Sequence, residues 1–177
     1  VSGSATITDS FLYQYISSGS LAGHVSACTH QRRTDTDPWR PIVQVSYSYY
    51  DGSDNFGSLG DLRTSTRQVW DPDNSDWADV ATDYYRYYLS GDTNGEAHNL
   101  KFVCGPEAFA RLSASVPDPF AASDFEVSQF ADNYYEYDFN DRVSLERVYA
   151  GSKTITFGYF RNPRYNSSSS SSSAVAP

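Results

Sequence analysis

Three acidic residues in the second half of the chain carry the chemistry that a glycoside hydrolase needs: Glu126, and Glu136 and Asp138 within YYEYDF. Such enzymes place two carboxyl groups about 5 to 10 Å apart across a cleft. Glu126, however, falls on the polar side of an alternating stretch, and DNYYEYDFND is typical of a loop with solvated acids. The sequence therefore favours structural roles for these carboxylates, and we predict that the chain is not an enzyme.

A second acidic cluster, DPDNSD, brings several oxygen ligands close together, as calcium loops do. It lacks the central glycine and the distal glutamate of the EF-hand pattern. Its proline and asparagine are ordinary turn residues. Asp71, Asp73 and Asp76 are thus weak calcium candidates, and we predict neither a bound metal nor a cofactor.

The two cysteines, Cys28 and Cys104, raise two further questions. Cys28 stands between His24 and His30 in an H-x3-C-x-H pattern, which supplies zinc-ligand types but lacks a fourth ligand. Cys28 and Cys104 are a candidate disulfide if their Cα atoms approach within about 7 Å. Two separate buried thiols are the alternative, and the sequence leaves the choice open.

Aromatic residues are the strongest signal, since Phe, Trp and Tyr make up 16% of the chain. Tyr, Trp, Phe and Arg are enriched at buried protein interfaces, and Lys, which is scarce here, is depleted there. Exposed rings also form platforms for sugars, and alternate rings on any strand point into a core. We predict an interface formed by Tyr84, Tyr85, Arg86, Tyr87 and Tyr88 of DYYRYYL, together with Tyr134 and Tyr135.

The elements that would position these residues are mainly strands. Residues 43–49 alternate between apolar and polar side chains and lead into an Asp51-Gly52 turn, which predicts a half-buried strand. A short helix is predicted over 75–82, because Trp77, Val80 and the following apolar residues fit helical spacings. Other strands are predicted at residues 61–70, from Tyr84 to the turn GDTNG, directly after that turn, and at 109–116, 124–130, 143–149 and 153–160.

About eight short strands separated by turns are typical of a sandwich or jelly roll. We therefore predict an all-β fold, an antiparallel β-sandwich in the form of an eight-stranded jelly roll with one short helix. The length of the chain, 177 residues, predicts a single domain. We place an N-terminal arm or edge strand at 1–22 and the sandwich at 23–166. Residues 167–177 are predicted to form a separate serine-rich tail, because polyserine cannot bury apolar surface.

Charge and composition exclude several classes of partner. The net charge of −9 and the absence of a basic arm argue against direct nucleic-acid binding. No stretch approaches the roughly 20 apolar residues of a membrane span. The chain contains no Met, even at position 1, so we expect it to be released from a precursor, either by removal of a secretory leader or from a polyprotein.

The order of several segments resembles that of capsid proteins from picorna-like viruses. FGSLGDLRTSTRQVW, ATDYYRYYLSG, HNLKFV and FEVSQFADNYY follow one another over about 80 residues, as a leucine/arginine segment, an aromatic strand and a later tyrosine-containing strand do in that family. The chain departs from the family at Leu89-Ser90, where Arg-Gly would stand, and before Tyr134, where proline would stand. The resemblance implies a jelly roll, release from a polyprotein, assembly into an icosahedral shell and no catalytic residues.

We therefore expect a structural capsid subunit located in the virion, with copies of itself and sister capsid subunits as partners and a host receptor or glycan as a further one. A secreted carbohydrate-binding β-sandwich or glycosidase is one alternative. An extracellular adhesin or filament subunit is another.

Overall fold

The computed structural model describes residues 4–160, which form nine strands and two helices. The strands are β1 (Ile7–Tyr15), β2 (Val25–Thr34), β3 (Arg40–Tyr49), β4 (Leu62–Asp71), β5 (Asp76–Tyr87), β6 (Leu100–Cys104), β7 (Asn133–Tyr137), β8 (Val143–Val148) and β9 (Lys153–Thr156). The helices are α1 (Pro106–Ser115) and α2 (Asp124–Ser128), and both lie between β6 and β7.

All nine strands belong to one antiparallel sheet in which each strand pairs with the next along the chain. β1 and β9 are its two edges. The predicted all-β class is confirmed. The finer prediction of an eight-stranded jelly roll is not confirmed, because the described strands form a single open sheet in sequential order rather than two facing sheets.

The predicted helix over 75–82 is wrong, since these residues lie in or next to β5. β4 and β5 form a long hairpin in which Trp70 and Trp77 are paired, and their rings meet edge to face at 5.3 Å. The apparent helical spacing arises because aromatic residues occupy both faces of this strand. Ladder hydrogen bonds and ring packing with β4 outweigh that weak periodicity.

The strands predicted at 109–116 and 124–130 are also wrong, because these segments lie largely in α1 and α2. Pro106 occupies the first turn of α1, where its missing N–H leaves no bond unmade. Ser123 and Glu126 form a reciprocal capping box at the start of α2. These local signals stop the chain from continuing as a strand after β6.

The core lies where α1 and α2 pack on one face of β5 and β6. It contains Tyr84, Phe102, Cys104, Ala108, Leu112, Ala122, Val127 and Ala131. The strands predicted at 43–49, 143–149 and 153–160 are confirmed, with somewhat different bounds, as β3, β8 and β9. Within the stretch 1–22 predicted as an arm or edge strand, Ile7–Tyr15 forms β1, and the predicted tail at 167–177 lies outside the described residues.

Candidate interaction surface

Arg86 is the central residue of the predicted aromatic interface, yet it is only 1% exposed. Its guanidinium donates to the Tyr84 hydroxyl at 2.8 Å, to Asp124 Oδ1 at 2.8 Å and to the Ala122 carbonyl at 2.6 Å. It also lies 3.6 Å from the ring centroid of Phe56. Arg86 therefore ties β5 to the segment around α2 within the same chain.

Tyr84 and Tyr88 are buried to the same extent as Arg86. The Tyr88 hydroxyl donates to the Tyr135 carbonyl at 2.7 Å and lies 3.3 Å from Tyr134 Oη. Burial raises the pKa of Tyr88 far above its usual range, because the phenolate would lose its hydration. Tyr84, Arg86 and Tyr88 are core residues in this chain rather than surface residues.

The remaining residues of the predicted interface are half-buried: Tyr85, Tyr87, Tyr134 and Tyr135. Tyr87 meets the ring of Tyr50 edge to face at 6.3 Å. Burial raises the pKa of Tyr87 to about 12, and the nearby Asp61 carboxylate adds to this shift. These four side chains keep only part of their surface open to a partner.

The carboxylates that could have served a glycosidase each hold a structural hydrogen bond. Glu126 accepts from the N–H and the hydroxyl of Ser123 at 2.7 and 2.8 Å, and these bonds hold the pKa of Glu126 below its usual range. Asp138 pairs with Arg142 at 2.6 Å, which lowers the pKa of Asp138. Glu136 accepts from a neighbouring tyrosine hydroxyl at 3.1 Å. A general acid needs a raised pKa, and the shifts of Glu126 and Asp138 have the opposite sign.

The acidic cluster proposed for calcium forms the tip of the β4–β5 hairpin. Asp71 accepts from the Asp73 N–H at 3.0 Å and from Asn74 Nδ2 at 2.7 Å, and these bonds lower the pKa of Asp71. Asp76 accepts from the N–H of Trp77. Within residues 4–160, no group of three or more His, Cys, Asp and Glu side chains is placed to hold a metal ion. Asp71 shapes the turn by the side-chain-to-backbone bonds typical of Asp in turns.

Cys28 and Cys104 are both free thiols, half-buried and buried respectively. They lie on β2 and β6, and four strand spacings of about 4.8 Å separate these strands by roughly 19 Å, too far for a disulfide. Burial raises the pKa of Cys104 to about 12. His24 and His30 do not join Cys28 in a site: their ring nitrogens contact a backbone carbonyl and the Asp9 carboxylate instead.

Strands β1, β2 and β3 have no second layer over them within the part of the chain that the structure describes, and we call them the uncovered strands. Just two of their residues, Ala27 and Thr29, are buried. The core beneath α1 and α2 lies on β5 and β6, beyond β4. Three of the nine strands of the sheet therefore have neither face covered by a second layer of residues 4–160.

One face of the uncovered strands, which we call the aromatic face, carries Ile7, Phe11, Tyr13, Cys28, His30, Val43, Val45 and Tyr47, together with the ion pair of Asp9 and Arg32. Phe11 stacks on His30 with a centroid distance of 5.0 Å and an interplanar angle of 18°. Phe11 and Tyr13 nevertheless remain 62% and 55% exposed. Large exposed apolar patches are typical of interaction sites, so the aromatic face is the candidate interaction surface.

The opposite face, which we call the polar face, is satisfied by its own hydrogen bonds. Thr29 donates to Gln44 at 2.7 Å, Gln44 donates to Gln68 at 2.9 Å, and Gln68 donates to Asp79 at 2.7 Å. This row crosses four strands, from β2 to β5. The two faces thus differ: most of the polar face is paired within itself, although Leu12 is 49% exposed there, whereas the aromatic face exposes several rings whose burial would be stabilising.

The rings of β1 are not among the predicted interface residues, although ITDSFLYQY contains the signal. Its odd-numbered positions hold Ile7, Asp9, Phe11, Tyr13 and Tyr15, a period of two with four apolar or aromatic members. The adjoining serine and glycine residues drew attention to turns instead.

Grooves also open on the surface, and two of them are the largest of those recorded in residues 4–160. The first has a volume of about 440 Å³ and is lined by Lys101, Asp124, Phe125, Tyr134 and Arg147 among others. The second has a volume of about 520 Å³ and lies at one end of the uncovered strands, where Arg32, Arg33, Arg40, Ile42, Trp70 and Pro72 line it. Both volumes fall in the range of small-molecule sites.

Comparison with protein-family models, with curated proteins and with solved structures found no match. Neither of the helices in residues 4–160 has the length and apolar character needed to cross a bilayer.

Proposed function

We propose that this chain is a structural subunit that works by self-association, and that the assembly it builds is a virion capsid. The observation that carries this proposal is the aromatic face. Rings on an open sheet lose exposed apolar area when a second layer covers them, at roughly 25 cal/mol for each Å² removed from water. Within residues 4–160 no such layer is present, so the proposal assigns it to other chains.

Under this proposal, the β-sandwich predicted from the sequence would form between two subunits. Two open sheets pack face to face about 10 Å apart when both inner faces are apolar. If the aromatic faces of two subunits meet in this way, the sandwich forms between chains rather than within one. The polar face then points away from the contact, which suits its row of paired amides and hydroxyls.

The capsid assignment rests in addition on the segment order described above and on the acidic charge of −9. A shell subunit of this charge would not condense a genome through its own surface. Copies of the chain and sister subunits are the proposed partners.

Sedimentation velocity and negative-stain electron microscopy of the purified chain test this function. The proposal predicts closed particles or large regular oligomers. A matched pair of variants locates the contact: Tyr47→Ser on the aromatic face should weaken assembly, and Ser46→Ala on the polar face should leave it unchanged. An unassembled chain under all conditions contradicts the proposal.

Carbohydrate binding is a second candidate, favoured by the groove at the end of the uncovered strands. Trp70 offers a ring, and three arginines offer hydrogen-bond donors in a groove of about 520 Å³. Binding to a panel of polysaccharides that Trp70→Ala abolishes would support this function. Tyr84→Ala is not a useful variant for this test, because Tyr84 lies in the core.

A further inference from the structure

We propose that β1 is the contact strand of a two-fold dimer, in which it pairs antiparallel with the same strand of a second copy and makes one continuous sheet. This inference rests on the self-association proposed above and adds a second contact to it, because edge pairing leaves the joined aromatic faces of the dimer free to pack face to face on another dimer. The occupant of the β1 edge is a second copy of this chain.

The outer edge of β1 lacks the usual protection against such pairing. Natural edge strands are kept apart by short length, by Lys or Pro, or by bulges that twist the strand away. β1 has nine residues, contains neither Lys nor Pro, and is exposed along most of its length. Its one register shift against β2 lies at its end, between Gln14 and Tyr15, and the extra residue there belongs to β2. β9, at the other edge, has only four residues and begins with Lys153. Among residues 4–160 the two edges therefore differ, and β1 is the edge suited to pairing.

Backbone bonds at the two ends of β1 fix which residues face outward. The Thr6 carbonyl accepts from the N–H of Asp35, at the end of β2, at 2.7 Å. Beyond the other end of the strand, the N–H and C=O of Ile16 bond to His24 and Gly23, both at 2.9 Å. In an antiparallel strand, the N–H and C=O groups of successive residues point to opposite sides. The even-numbered residues of β1, like Thr6 and Ile16, therefore point these groups towards β2. The odd-numbered residues from Ile7 to Tyr15 therefore point their N–H and C=O groups away from the sheet.

This alternation makes β1 complementary to itself. In an antiparallel pair of identical strands centred on Phe11, every odd-numbered residue faces another odd-numbered residue. Each such pair can exchange both backbone hydrogen bonds. Phe11 then lies opposite Phe11 of the second copy, and Ile7 lies opposite Tyr15. Paired residues also share a face, so the two aromatic faces join on the same side of the sheet.

The charges of β1 are compatible with this register. Asp9 is the only ionisable carboxylate in the strand, and it is held by His30 and by Arg32, both at 2.8 Å. In the centred register, Asp9 lies opposite Tyr13 of the second copy rather than opposite another carboxylate. The pairing brings no like charges into contact.

Charge variants at position 11 test the inference, because the two-fold places this residue against itself. Phe11→Lys and Phe11→Glu each put like charges in direct contact, so each should raise the dissociation constant of the dimer at least about tenfold. An equal mixture of the two variants should restore dimers, as heterodimers. Leu12→Lys is the matched control: Leu12 faces Ser10 of the second copy in this register, so most of the affinity should remain. Circular dichroism checks that each variant is folded.

Sedimentation velocity distinguishes the two proposals. If Tyr47→Ser weakens the assembly of the natural chain and the position-11 variants assemble as well as the natural chain does, the β1 dimer is overturned while self-association through the aromatic face stands. Weakening by both variants without recovery in the mixture also overturns it, because the residue then meets a different surface. If the natural chain does not assemble at all, the proposed function itself is contradicted.

Discussion

Replacing Arg86 by Leu should lower the free energy of unfolding by about 3 kcal/mol. Removing one member of a buried ion pair costs about 3 to 5 kcal/mol, since the other charge stays behind without its partner. Here that charge, Asp124, has a side chain 36% exposed and keeps an ion pair with Lys101 at 2.7 Å. Solvent and Lys101 together place the expected loss at the low end of the range. The Tyr84 hydroxyl and the Ala122 carbonyl also lose a donor.

Urea denaturation measures this loss. With a slope of about 2 kcal/mol per M, the midpoint should fall by about 1.5 M. Each curve should be recorded at two protein concentrations, because association stabilises the folded state in a concentration-dependent way. Arg40→Leu is the matched control, since Arg40 is exposed and should change stability by no more than about 0.5 kcal/mol. A loss below about 1 kcal/mol for Arg86→Leu would refute the account of Arg86 as the link between β5 and α2.

Three further predictions concern the core and its caps. Cys104 should resist alkylation at pH 8 in the folded protein, because it is buried and its pKa is raised to about 12, while Cys28 should react first; mass spectrometry after brief labelling checks this order. Folding favours the neutral phenol of Tyr87, so the stability that this group contributes should be complete below about pH 10 and should be lost as the pH rises towards 12. Thermal melts across this pH range, together with tyrosinate absorbance, measure this loss. Ser123→Ala should cost about 1 kcal/mol by removing the capping box with Glu126, as urea denaturation would show; no change would mean that α2 is held by packing alone.

Strand periodicity could be predicted from the sequence where one face of a strand is consistently apolar. β3 is the clearest case: Val43, Val45 and Tyr47 share the aromatic face, and their alternation is plain in the printed sequence. The prediction for the start of β5 was wrong because the spacing of Trp77 and Val80 favours a helix. Pairing with β4 decides the conformation of this segment instead. Local propensity is a weak guide when a long-range partner supplies the hydrogen bonds.

The two helices differ from β5, because the sequence contains local signals for both of them although strands were predicted there. Gly105-Pro106 marks the start of α1, and Ser123 with Glu126 three residues later is the pattern of a capping box. Ala108 and Leu112 are four residues apart and both fully buried, as one helical face requires. Apolar content alone had favoured strands in these segments.

The candidate surface was only partly predictable. The sequence indicated an aromatic interface of seven residues. Tyr84, Arg86 and Tyr88 among them are buried, and the other four are half-buried: Tyr85, Tyr87, Tyr134 and Tyr135. Whether a ring on a strand is covered depends on where the helices pack, and that is a tertiary property. Helix packing on β5 and β6 covers Tyr84 and Arg86, whereas Phe11 and Tyr13 on β1 stay exposed.

The central claim is that the aromatic face and the β1 edge are buried by other copies of the chain. Sedimentation velocity of the natural chain over a range of concentrations, with electron microscopy of the same samples, tests it most directly. We predict species much heavier than the monomer of about 20 kDa, with regular particles on the grid. A single species of monomer mass at concentrations up to about 100 μM, far above the Kd range typical of specific protein complexes, would contradict it.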